Sequence, residues 1–142
     1  MNDMNEFQKY KEASIYSMSS AELLQLLYDE AVSRLSKAEI ALEDQAYDLF
    51  DDCLLRVSRI VRYLDDILDM RQPLSRDLRR IYNYLFMDLS RVKAGRERQK
   101  DEIPRIRNIL SELGGAFAEA GKKAADVHPP YGIQPQERGI RG

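Results

Sequence analysis

The residues able to do chemistry are few and poorly placed for it. The only histidine, His128, is followed by Pro129-Pro130, outside every stretch with helical periodicity. A di-iron bundle needs Glu-x-x-His pairs on its helices, and histidine phosphotransfer needs a histidine on a helix face. Both fail here. Pairing His128 with a serine or with Cys53 as a nucleophile would require the segment around it to fold back. No Gly-rich phosphate loop and no zinc-ligand spacing occurs. Cys53 falls beside an apolar stripe and reads as a small buried hydrophobe. Glu43, Asp44, Asp48, Asp51 and Asp52 suggest a cation site, but solvated acids at a helix start, favoured by the dipole, account for them better. Arg91, Lys93, Arg96, Arg98, Lys100, Arg105 and Arg107 are interrupted by Glu97, Asp101 and Glu102 and lack interleaved aromatics. They read as a solvated helix-loop-helix corner rather than a nucleic-acid surface. The expectation is a protein that is not an enzyme and holds no metal or cofactor.

What remains is binding chemistry. Leu23, Leu24, Leu26, Leu27 and Tyr28 make the start of one helical segment apolar almost all the way round, where a surface helix needs a stripe only about 100° wide. Tyr28, Tyr82 and Tyr84 lie beside or opposite the apolar seams, with Phe86 and Met87. Each tyrosine taken singly reads equally well as an amphipathic ring whose hydroxyl reaches water. Together with the surplus leucines they suggest an apolar groove that takes a partner segment through i, i+3, i+4 anchors. An N-terminal strap bearing Tyr10 and Ile15 is available to shield it.

Four stretches can carry such a groove. Ser20 to Glu43 repeats Leu24, Leu27, Ala31, Leu35, Ala38 and Leu42 at three- and four-residue steps. Ser19 with Glu22 forms a capping box, and Met18 with Leu23 its hydrophobic staple. Gln45 to Met70 carries Phe50, Leu54, Val57, Val61, Leu64 and Leu68, with Cys53, Ile60 and Ile67 beside them. Ser75 to Lys93 carries Leu78, Ile81, Leu85, Leu89 and Val92. Glu102 to Lys122 carries Ile103, Ile106, Leu110, Leu113, Phe117 and Ala120, with Pro104 in its first turn and Gly114-Gly115 inside it. Each glycine costs such a helix about 1 kcal/mol, and the pair permits a bend or a close backbone approach. The short connections favour an all-α, antiparallel up-down four-helix bundle with crossing angles of about 20°. The expected organisation is a short N-terminal helix or strap over residues 1–18, a bundle over 19–123, and a flexible Pro- and Gly-containing tail over 124–142.

Composition agrees. The 142 residues are 44% hydrophobic and 32% charged with no Trp, which suits one soluble domain with a single core. A net charge of −2 argues against a dedicated nucleic-acid binder. No apolar run approaches the roughly 18 residues of a membrane span. The first residues lack the marks of a secretory signal, and a single cysteine suits a reducing cytoplasm.

The residues also resemble the flagellar secretion chaperone FliS family. Tyr10, Ile15 and Ser17 precede Ser19 at spacings like that family's Tyr…Val-x-Thr-x-Ser lead. Leu23-Leu24-Gln25-Leu26-Leu27-Tyr28-Asp29-Glu30-Ala31 is similar to its Leu-rich run ending Leu-Tyr-Asp-Gly-Ala. Leu68-Asp69-Met70 and Ile81-Tyr82-Asn83-Tyr84-Leu85 match two further stretches in order, and the likeness spans roughly residues 7–123. Ser20 stands where the family has a proline and Glu30 where it has a glycine. The resemblance implies a cytoplasmic helical bundle that binds the disordered C-terminal segment of flagellin, blocks premature polymerisation and keeps the subunit competent for flagellar type III export. Other flagellar export or regulatory proteins are further candidate partners; nucleic acid and membrane insertion are not expected. On this reading the groove comprises Leu23, Leu26, Leu27, Tyr28, Asp29, Tyr82, Tyr84 and Met87. Asp29 either bonds a backbone amide or is simply solvated. Tyr10 and Ile15 form the displaceable cap. A self-associating structural or regulatory bundle is the alternative.

Overall fold

Alanines set the closest packing of the first helix, α1 (Ser20–Glu43). Ala31, Ala38 and Ala41 are buried beside Tyr28, Leu35 and Leu42, so neighbouring helices approach its backbone. The computed structural model describes residues 20–127, with side chains through Lys122; Met18, Ser19 and the proposed capping box fall outside the described residues. The turn after α1 closes at Gln45, which takes a positive φ of 56°. The Ala46 N–H bonds the Ala41 carbonyl at 2.8 Å and the Gln45 N–H bonds the Leu42 carbonyl at 3.1 Å. This is the Schellman pattern, with glutamine in the place usually taken by glycine.

That turn consumes Gln45 and Ala46, so α2 runs Tyr47–Asp66, shorter than the expected Gln45 to Met70. At its far end Arg71 binds the Asp69 carboxylate at 2.9 Å, and the Ser75 hydroxyl donates to the Asp69 carbonyl at 2.6 Å. These local bonds hold residues 68–70 in a turn rather than a helix. α3 runs Pro73–Gly95 with its proline in the first turn, where the missing N–H removes no intrahelical bond. It begins ahead of the expected Ser75. A 3-10 turn, Arg96–Gln99, opens the last connection. α4 runs Glu102–Val127. It therefore carries helix through residues 124–127, which the sequence reading assigned to the tail. Ala118, Ala120, Ala124 and Ala125, with Lys122 and Lys123, are all good helix formers.

The four helices are antiparallel to their neighbours. α1 lies between α2 and α4, and α2 packs along both α1 and α3. The core is built from the expected seams: Phe50, Cys53, Leu54, Val57 and Leu64 from α2, Leu85, Leu89 and Val92 from α3, and Ile103, Ile106 and Leu110 from α4, all essentially inaccessible, whereas Ala120, expected on the last seam, is exposed. Ile67, expected beside the α2 seam, is exposed past the helix end. α3 and α4 touch only lightly, so the ring of helices stays unclosed on that side.

Candidate binding cleft

One crosslink sets the register of α3 against α4. Asp88, buried on α3, accepts from Arg105 of α4 and from Arg91 one turn along its own helix (3.2 Å). Arg105 also bonds Glu102 at 2.7 Å and lies 5.2 Å from the centre of the Tyr84 ring. Antiparallel counting from this pair brings Tyr84 level with Asn108 and Ile109, Ile81 level with Glu112 and Leu113, and Leu74 level with Glu119 and Ala120. Ile81, Ile109, Leu113 and Phe117 pack on the core but remain only partly buried, and Leu74 is 59% exposed. α3 and α4 make few contacts with each other, so these partly buried side chains mark a candidate apolar cleft between the two helices.

Aromatic side chains fix the interior beside it. The hydroxyls of Tyr28 (α1) and Tyr82 (α3) share a 2.5 Å hydrogen bond that crosses the bundle. The Tyr28 ring stacks on Phe117 at 5.7 Å between centroids. Gly114 makes room for that ring: a Cβ there would lie 2.9 Å from the Tyr28 Cβ. Gly114 is thus the close approach that the sequence suggested, whereas Gly115 faces open space. Burial raises the pKa of both tyrosines from the ordinary 10.0; the shared bond raises that of Tyr28 further and partly offsets the rise at Tyr82.

The candidate groove residues do not converge on one surface. Tyr28 and Tyr82 are 1% and 2% exposed, so they belong to the core instead of lining an open groove; their hydroxyls are satisfied by each other and not by water. Leu23 and Leu27 share a row with Glu30 and Arg34, the edge from which Glu30 reaches Arg56 of α2 at 3.8 Å. Leu26 is partly exposed. Asp29 is exposed on the α4-facing side of α1, where it accepts from Gln25 at 3.0 Å. Tyr84 lies at the cleft, 46% exposed, and Met87 is open to solvent. Tyr10, Ile15 and His128 lie outside the described residues. The cleft walls Ile81, Ile109, Leu113 and Phe117 read in sequence as ordinary seam positions. Nothing local marks them as half-open, because that depends on how far α3 stands from α4.

The remaining groups behave as structural charges. Cys53 is fully buried. Arg96 reaches Asp51 at 3.8 Å and Arg107 pairs with Glu39 of α1, so the basic corner is partly neutralised by neighbouring acids. Among the described residues no cluster suits a metal ion, and no helix is long and apolar enough to cross a membrane.

A four-helix bundle with an apolar cleft, in which arginines and tyrosines serve packing and ion pairing, has the build of a protein-binding module. The chain belongs to the FliS family: it matches the family described as flagellar protein FliS over residues 3–124. This is a family of flagellar export chaperones that serve flagellum assembly. A comparison with curated protein sequences found no match.

Proposed function

We propose that this chain is the cytoplasmic chaperone of flagellin, binding its disordered C-terminal segment, preventing premature polymerisation and holding it ready for type III export. Family membership supports the class of client, and the half-open α3–α4 cleft carries the reading. Ile81, Leu113 and Phe117 are only partly buried on two helices that touch lightly, so apolar anchors of a second chain can complete their burial. A client that folds on binding must offset its ordering entropy, so it needs a long contact surface. Leu74 and Tyr84 extend the cleft along α3. Leu23, Leu26 and Leu27 form a separate strip on α1, which a client wrapping the bundle reaches beyond the cleft. In this reading Tyr10 and Ile15 belong to a cap that the client displaces.

The test is calorimetric titration with the flagellin C-terminal segment, about forty residues long, a size suited to coupled folding and binding. Saturable binding with a strongly negative heat-capacity change is the expected outcome. Failure of well-folded protein to bind at high micromolar concentration overturns the assignment. A mass that rises with concentration in the absence of ligand would then point to self-association through the same surface.

A further inference from the structure

A second cavity lies on the face shared by α1 and α4. It has a volume of about 360 Å³ and is lined by Gln25, Asp29 and Ser33 from α1 and Ser111, Gly114 and Gly115 from α4, among others. Asp29, Ser33, Ser111 and Gly115 are solvent-exposed, so the cavity opens outward. Its polar side chains offer mostly acceptors. The Gln25 amide nitrogen donates to the Asp29 carboxylate at 3.0 Å. This fixes the amide orientation, because the reverse would set two oxygens against each other. The Gln25 Oε1 is then left buried with no hydrogen-bond partner among the described residues. Buried acceptors are nearly always satisfied in folded proteins. The Asp29 carboxylate pairs with no cation among the described residues, and Gly115 adds no side chain to fill the space.

We propose that this cavity is a docking site for a lysine or arginine side chain of a partner protein. An orphaned amide oxygen, an unpaired carboxylate and two hydroxyls match a group that only donates and carries positive charge, and charge-assisted bonds of this kind are the stronger ones. The site lies on the α1–α4 face, apart from the α3–α4 cleft.

The probe is N-acetyl-lysine methylamide, titrated into isotopically labelled protein and followed by NMR, with N-acetyl-norleucine methylamide as the uncharged control. Saturable shifts are expected at the Gln25 side-chain amide and at the Gly114 and Gly115 backbone amides, with at least about tenfold weaker binding of the control. Asp29→Asn abolishes the preference for lysine. Gly115→Leu, whose side chain enters open space, blocks the cavity while circular dichroism reports an unchanged fold. Equal responses to both compounds, or no localised shift with lysine, overturn the proposal.

Discussion

Tyr28 and Tyr82 place two hydroxyls where only each other can satisfy them. Tyr82→Phe leaves the Tyr28 hydroxyl buried and unpaired, so a loss of about 1–3 kcal/mol in denaturant unfolding is expected. The double Phe variant should lose less than the sum of the two singles. The pair also sets a pH response. Below pH 10 these hydroxyls are protonated in the folded and unfolded chain alike and contribute no slope. As pH rises above the ordinary value of 10.0, the unfolded chain ionises first while the raised pKa values keep the folded pair neutral, so stability falls. Tyrosinate absorbance from these two should therefore appear together with loss of helix in an alkaline titration. The glycines separate in the same way. Gly115→Ala is expected to raise stability by up to about 1 kcal/mol, while Gly114→Ala lowers the melting temperature because its Cβ meets Tyr28 at 2.9 Å. Leu64→Ala should cost about 2–5 kcal/mol. Tyr84→Ala should cost client affinity more than stability, and equal thermal damage from both substitutions would remove Tyr84 from the binding surface.

At the scale of elements, helix periodicity carried most of the legible information. The apolar seams of Phe50, Leu54, Val57 and Leu64, and of Leu85, Leu89 and Val92, are buried because a repeat near 3.5 residues admits one inward face. The ends of α2 were harder to read. They depend on Gln45 adopting a left-handed conformation and on Asp69 gathering Arg71 and Ser75, neither of which follows from residue type. Gln45→Gly should accordingly stabilise the chain by roughly 0.5–1 kcal/mol, measurable as a higher denaturant midpoint. Asp88 left a readable signal, since it falls on the α3 seam between Leu85 and Val92, where an acid needs a basic partner. Asp88→Asn should weaken the α3–α4 pin by about 1–3 kcal/mol and speed amide exchange in the first turns of α4. The cleft itself was not legible. Leu113 and Phe117 follow the same repeat as Leu110, and only the distance between two helices makes them half-open.

Taken whole, the molecule is a ring of helices in the order α3, α2, α1, α4, closed on three sides. Its charges interlock across that ring, with Arg107 on Glu39, Arg79 on Asp65 and Arg105 on Asp88. No salt-sensitive retention on a polyanion column is expected, despite the run of basic residues before and into α4. The open side also orders assembly in time. α1 with α2, and α2 with α3, are hairpins of neighbours in sequence, but α4 must return across two helices to reach α1, joining Arg107 to Glu39 over a separation of 68 residues. Contacts so distant along the chain carry the larger loop-closure cost and form late. A three-helix nucleus should therefore come first, with α4 docking last, mainly against α1, and detaching first under stress. Leu110→Ala should then chiefly hasten unfolding, while Val57→Ala slows folding. On this account the side at which the proposed client would dock is bare at one stage of the protein's own folding.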